Sequence, residues 1–341
     1  MEKKKVSIYT IAKSLNVSPA TVSYVVTGRY NKMSLETRQK ILDEIERTGY
    51  VPDVNARGLS CGKSRLIGLF LPISQDNKSS NLLLNPFYME FIAAIEKHNR
   101  DSGYDLVLGY KNQDDFISWA LSRNFDAVIM LGKFPTEEAF KVESLRMPII
   151  FIDVYADEFS KYTNIRSDDK GGMYSATKYL LELGHRKIGY VGTASRSELD
   201  KRRYEGYSIA LKEYGLEVDS NLLYISYPDF EGGLQIADKI MEDNKVSAIV
   251  CSADVIAIGI SHKYELKGKK IPDDLSIIGF DDIKEVTYVF PALTTVRQNI
   301  EEKGRIVMET LKEAIENENF ERKIIEVKTE LIVRNSTKKY E

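Results

Sequence analysis

The 341-residue chain has only two cysteines, one tryptophan and three histidines. Cys61 and Cys251 stand far apart and form no CxxC pair, so count and spacing argue against a disulfide framework and a zinc site. This cysteine usage fits a reducing compartment. His98, His185 and His262 are scattered along the sequence, and no HExxH, P-loop or strand-following GxGxxG occurs. No catalytic constellation is visible, and the expectation is a protein with no enzymatic activity, no cofactor and no bound metal. No stretch approaches the roughly 18 apolar residues that span a bilayer. Met1-Glu2-Lys3-Lys4-Lys5 has the charge of a signal-peptide start, but Ser7, Tyr9, Thr10, Lys13, Ser14 and Asn16 are too polar for the apolar segment that must follow. A cytoplasmic location without membrane contact is expected.

What the chain does have is an ordinary globular balance, 43% hydrophobic and 29% charged, with length for a small domain and one or two larger ones. Its net charge of −3 hides an asymmetry: residues 1–63 sum to +5 and the remainder to −8. A basic head on an acidic body directs the head alone toward a polyanion. Within the head, Ile11, Ala12 and Leu15 share one helical face, and Asn16 tolerates the left-handed turn that ends it. Ser18 suits an N-cap with Pro19 at the first helical position, and Val22, Val25 and Val26 form the buried side. Ser34 caps a third helix, with Ile41, Leu42 and Ile45 at helical spacing and Gly49 as its stop. Three short helices with a sharp turn between the first two are a helix-turn-helix arrangement. Residues 51–63, with Pro52, Gly58 and Gly62, read as a linker holding one short helix near 54–60.

From residue 65 the pattern alternates. Apolar runs at Leu66–Ile73, Tyr104–Leu108, Ala127–Leu131, Ile149–Ile152, Ile188–Val191, Ala248–Cys251 and Leu275–Phe280 predict buried strands. Amphipathic stretches near 87–102, 136–145, 169–184, 200–214, 230–243, 254–267 and 300–317 predict helices between them. Strand-helix alternation predicts parallel sheets covered on both faces, and about a dozen strands predict two sheets rather than one.

These segments carry a family signature. Val6–Val26, VSIYTIAKSLNVSPATVSYVV, resembles the DNA-binding head of the lac repressor/galactose repressor (LacI/GalR) family, and YVPDVNARGL (50–59) resembles its hinge. LGHRKIGYVG (183–192), RYEGY (203–207), ADVIAIG (253–259), IPDDLSIIGFDD (271–282) and PALTTVRQ (291–298) resemble its effector-binding core, in order and over nearly the whole chain. The resemblance implies an all-α helix-turn-helix head (1–50), a hinge helix (51–63), and an α/β core (64–341) of two doubly wound parallel-sheet lobes of the periplasmic-binding-protein type. It places the lobe crossovers near Thr163, Leu293–Thr295 and Lys323–Glu326. The implied lobes are 64–163 with 294–324, and 164–293 with 325–341.

By the same resemblance, Ser18, Thr21 and Ser23 bind phosphates while Pro19, Ala20 and Tyr24 face base edges in the major groove. Thr10, Ser34 and Thr37 complete the DNA-facing set. Tyr24 stands where the family commonly has arginine. Thr10 stands where an acid is common and is expected to cap the first helix. Leu15 and Asp53 also depart from the usual small residue and Asn. In the hinge, Leu59 matches a leucine that wedges into the minor groove, Ala56 the small residue where two hinges meet, and Asn55 and Arg57 groove or backbone contacts. In the core, the implied effector site takes Phe87, Tyr88, Lys133, Asp153, Arg203, Phe230 and Asp254. Carboxylates and a guanidinium suit hydroxyl groups, and aromatic rings suit a sugar's apolar face.

The implied function is transcription regulation, with repression as the family default. The implied partners are a near-palindromic operator, a sugar or sugar phosphate, and a second copy of the chain in a dimer. A purine, nucleoside or partner protein is the alternative effector. A sugar-binding module without DNA function would lack the basic head. The tail after Glu326 has no leucine heptad, which favours dimers over tetramers.

Overall fold

The computed structural model describes residues 6–51, 63–72, 84–111, 116–132, 142, 144–155, 160–193, 197–317 and 320–340. The chain divides into two compact units, Met1–Arg65 and Leu66–Glu341.

In the first unit, helices α1 (Ile8–Leu15), α2 (Pro19–Val26) and α3 (Leu35–Thr48) enclose Ile11, Ala12, Val22, Val25 and Ile41. Each helix begins on a serine whose hydroxyl accepts the N–H of the third helical residue: Ser7 from Thr10, Ser18 from Thr21, Ser34 from Thr37. The expectation that Thr10 caps α1 is therefore corrected. Helix α1 starts one turn nearer the N-terminus, and the Thr10 hydroxyl accepts the Ser7 N–H at 2.8 Å to complete a reciprocal capping box. Asn16 takes φ 53° between α1 and α2, and Gly49 takes φ 62° after α3. Both left-handed stops fall where the sequence places them. Leu15 packs, partly buried, against the head core. The expected hinge helix near 54–60 and most of the expected helix at 136–145 lie outside the described residues.

The second unit contains two six-stranded sheets. Its elements are β1 (Leu66–Pro72), α4 (Pro86–Asn99), β2 (Asp105–Lys111), α5 (Phe116–Arg123), β3 (Ala127–Leu131), β4 (Ile149–Ile152) and β5 (Thr163–Ser167). There follow α6 (Asp169–Glu182), β6 (Ile188–Thr193), α7 (Glu198–Glu213), β7 (Leu223–Ser226), α8 (Phe230–Asp243), β8 (Ala248–Cys251), α9 (Asp254–Leu266) and β9 (Ser276–Asp281). The last are β10 (Thr294–Arg297), α10 (Ile300–Glu316), β11 (Ile324–Val327) and β12 (Glu330–Ile332).

One sheet runs β11-β5-β4-β3-β1-β2, entirely parallel. The other runs β12-β10-β9-β8-β6-β7, parallel except for the β10–β12 pair. Period-two alternation divides each strand between two layers. Ile67, Leu69 and Leu71 of β1 face Phe91, Ile95, Val307 and Leu311 of α4 and α10, while Phe70 faces Trp119 of α5. In the second sheet Ile249 and Ile277 face α8 and α9, whereas Val250 and Ile278 face α6 and α7.

The lobe boundaries differ from expectation at each crossover. Thr163–Ser167 and Ile324–Val327 belong to the first sheet and Thr294–Arg297 to the second. The chain thus changes lobe at the far end of each of these strands, near Asp168, Gln298 and Lys328, rather than at the near end. These strands are short and carry polar residues, TNIRS, TTVR and IIEV, so no long hydrophobic run marks where they finish.

Candidate functional site

In the head, α2 turns Val22 and Val25 inward. That leaves Ser18 and Ala20 exposed and Pro19, Thr21, Ser23 and Tyr24 half-buried on the remaining surface. The Ser18 and Thr21 hydroxyls lie 2.8 Å apart, as do those of Ser34 and Thr37 at 2.9 Å. Two helix N-termini therefore each present a hydroxyl pair. Helix N-termini favour phosphate because their first N–H groups lack intrahelical partners. Arg38 stacks over the Tyr30 ring at 3.6 Å in the turn joining α2 to α3. Asn55, Ala56, Arg57 and Leu59 lie outside the described residues.

In the core, a polar cluster gathers at the carboxyl ends of strands from both lobes, where open α/β sheets bind ligands. Asp153 follows β4 at φ 54°. Its carboxylate accepts the Ser167 N–H at 3.1 Å and the Lys303 ammonium at 2.5 Å. Lys303 is fully buried on α10 and also donates to the Ser167 hydroxyl at 2.9 Å. That hydroxyl donates to the Gln298 carbonyl at 2.7 Å, and the Gln298 amide donates to Asp281 at 2.6 Å. A continuous chain of hydrogen bonds thus runs from one lobe to the other.

Arg203 is held from three sides. Its Nε donates to Asp169 at 2.8 Å, another nitrogen donates to the Ser252 carbonyl, and a third lies 3.8 Å from Asp281. The guanidinium sits 3.7 Å above the Phe280 ring. Gly206, one turn on, has no room for a Cβ against the Lys170 carbonyl. That close approach seats α7 on α6 and sets Arg203 over Asp169.

Electrostatics set these groups apart from surface charges. Burial pushes the Asp281 carboxyl up to about 7, and the nearby Asp169 adds to this against Arg203, Gln298 and Lys303. Burial raises Asp169 as well, with Arg203 opposing. The Tyr88 phenol is pushed up to about 12 by burial and by the Asp153 and Asp281 carboxylates, and its side chain packs against the cores of both lobes.

The expected residues are not all brought together. Tyr88, Asp153 and Arg203 converge. Phe87 packs edge-on to Tyr88 at 5.4 Å and among the core residues of the second lobe, so it serves as inter-lobe packing. Asp254 is not the N-cap of α9, a place taken by Ala253. It is fully buried and accepts from the Thr295 hydroxyl at 2.5 Å and the Ile283 N–H at 3.1 Å. Gly279 has no side chain to crowd it. Burial and Asp281 hold its carboxyl well above the usual range, so it backs Asp281 from behind. Phe230 is half-exposed at the start of α8 with its ring 5.7 Å from His262. Among the described residues no ring contact joins it to Tyr88 or Phe87. Lys133 lies outside the described residues.

Sequence reasoning missed Asp169, Asp281, Gln298 and Lys303. Asp281 had the same signal as Asp153, an acid at the carboxyl end of an apolar strand. Lys303 stands in helical register with Ile300, Val307 and Leu311, and a lysine on an apolar stripe requires a buried partner.

Known proteins resemble the chain in both its head and its core. Residues 7–53 match the family described as bacterial regulatory proteins, lacI family, and residues 177–337 match the periplasmic binding protein-like domain. The HTH-type transcriptional repressor PurR of Vibrio atlanticus (strain LGP32) is 30% identical over 344 residues, covering 97% of this chain and 98% of that protein. The lac repressor dimer bound to operator and the anti-inducer ONPF shares the fold, with a TM-score of 0.85 at 21% identity over 98% of this chain and 100% of that one. A LacI family transcriptional regulator from Enterococcus faecium with bound ribose matches at 26% identity and a TM-score of 0.72, over 81% of this chain and all of that one. With its helix-turn-helix head and two-lobed core matched along almost its full length, the chain belongs to the LacI family of DNA-binding transcription regulators.

Proposed function

We propose that the protein represses carbohydrate-utilisation genes as a homodimer on a near-palindromic operator, and that a sugar or sugar phosphate between its lobes sets operator affinity. The observation that carries this reading is the convergence of Arg203 and Asp281 from one lobe with Asp153, Lys303 and Tyr88 from the other. Such a set offers charged donors and acceptors together, which suits vicinal hydroxyls, and the Enterococcus faecium relative holds ribose. In this reading Asp254 and Phe87 shape the site, and Phe230 and Lys133 join it when a ligand is bound.

On DNA, Pro19, Ala20 and Tyr24 meet base edges, while Thr10, Ser18, Thr21, Ser23, Ser34 and Thr37 position the head on phosphates. Asn55, Ala56, Arg57 and Leu59 engage the minor groove at the dyad. Two-fold symmetry of the dimer matches the two operator half-sites. The Ser167–Gln298–Asp281 relay is the element through which ligand binding reorients the lobes and hence the heads.

The test is operator binding in the presence of a sugar panel, with wild type and Arg203→Ala. A sugar that shifts wild-type operator affinity at least about tenfold, within the usual range of allosteric coupling, should leave the Arg203→Ala protein unshifted while its unliganded operator affinity stays close to wild type. A response that survives in Arg203→Ala places the effector elsewhere.

A further inference from the structure

Tyr155 stands at the edge of the cleft, two residues after Asp153. Its hydroxyl donates to the Asp169 carboxylate and to the Ser167 carbonyl, which pins the ring. Two arginines flank that ring, each with its guanidinium carbon 4.8 Å from the centroid. Arg166 comes from β5 in the first lobe and Arg202 from α7 in the second. Arg166 is 9% exposed, and its Nε is buried with no hydrogen-bond acceptor. Neither guanidinium is ion-paired with a carboxylate among the described residues. Asp153 is committed to Lys303 and Asp169 to Arg203 and Tyr155, while Glu326, opposite Arg166 across β5 and β11, forms no ion pair with it.

Two like charges beside one ring, one of them desolvated, repel each other unless a counter-charge is supplied. Stacking on the tyrosine offsets part of this. Burial lowers the proton affinity of Arg166 and the Arg202 charge adds to this, against Tyr155, Asp153 and Glu326. A phosphate or carboxylate accepting from both guanidinium groups would satisfy the buried Nε and cancel the repulsion in one contact.

We infer that Arg166 and Arg202 form an anion subsite spanning the two lobes, and that the effector carries a phosphate or carboxylate group bound there. The inference rests on the cleft being the effector site. The Tyr155 hydroxyl and Arg203 share the Asp169 carboxylate, so the subsite lies beside that cluster, and the ligand's anion sits there while its hydroxyls meet Asp153, Arg203 and Asp281. The anion also ties α7 to β5 and so favours the closed lobes.

The experiment uses the full chain at fixed ionic strength, with thermal shift and calorimetry as readouts. The probes are inorganic phosphate, ribose with ribose 5-phosphate, and glucose with glucose 6-phosphate and glucuronate. The variant is Arg202→Gln, with Arg166→Lys as a second that keeps the charge and loses the buried Nε. Inorganic phosphate should raise the melting temperature of wild type and not of Arg202→Gln. An anionic sugar should bind at least about tenfold more tightly than its neutral parent, a gain within reach of charge-assisted bonds, and Arg202→Gln should erase that preference. A larger gain for the phosphate ester or for glucuronate identifies which anion the subsite takes. Neutral sugars binding as tightly as their anionic forms, or an equal loss of both in Arg202→Gln, overturns the inference and leaves the cleft as the effector site. Phosphate stabilisation through Arg202 with no sugar altering operator binding keeps the subsite and overturns the sugar reading. No stabilisation by phosphate and no preference for any anionic sugar overturns the subsite.

Discussion

Asp281 ends β9 at φ 124° with its carboxyl buried beside Arg203 and Gln298, and burial raises its proton affinity to about 7. In the unfolded chain the same group titrates near about 3.9. Between those values the folded state binds the proton and the unfolded state does not, so stability falls as pH rises through that window and the full loss is present above it. Asp281→Asn removes the charge and keeps a residue type that accepts positive φ. It should melt higher than wild type at pH 8, and the advantage should shrink toward pH 4, as calorimetry at both values would show. An advantage equal at both would mean that the carboxyl does not titrate in this window. The Arg203–Asp169 pair behaves differently, because both partners are buried and hydrogen-bonded. Asp169→Ala should cost about 3–5 kcal/mol by stranding the guanidinium, a loss that denaturant titration of the core would register. A cost under about 1 kcal/mol would place the pair in the surface class.

At the scale of elements, α1 and α2 have eight residues each, too short to persist alone in water. The head therefore stands on its shared core, and Ile41 is fully buried at its centre. Ile41→Ala should cost about 2–5 kcal/mol, abolish operator binding, and leave the melting transition of Leu66–Glu341 in place, since that unit has its own core. Loss of both transitions would show that the core depends on the head. The long amphipathic helices and fully apolar strands were legible in the sequence: Ala127–Leu131, Ile149–Ile152, Ala248–Cys251 and Phe230–Asp243 match their expected bounds. Helix α5 and strands β5, β7, β10, β11 and β12 were not delimited. They are short, mixed in polarity, and stabilised by neighbours distant in sequence, so their signal is tertiary. The candidate site divides the same way. Asp153 and Arg203 could be found because single motifs carry them. Lys303, Gln298 and Asp169 gain their meaning only when three crossovers bring them together.

For the whole molecule, the proposed dimer requires an apolar face outside the cleft. Ile225, Leu266, Tyr288 and Phe290 of the second lobe are large and exposed, Phe290 at 96%, and exposed apolar side chains of this size suit an interface. Phe290→Asp should convert the protein to a monomer in sedimentation and weaken binding to a two-half-site operator at least about tenfold, since bivalent engagement supplies gains of that order or more. An unchanged dimer would move the interface elsewhere. The central claim, a DNA-reading head governed by a ligand-binding core, is tested most directly by fluorescence anisotropy on duplex DNA from the gene's own promoter, across a salt series and with sugars and sugar phosphates added. The account predicts sequence-selective binding that weakens steeply with salt and shifts with one class of sugar. Binding that is equal on promoter and unrelated DNA and indifferent to every sugar would contradict it.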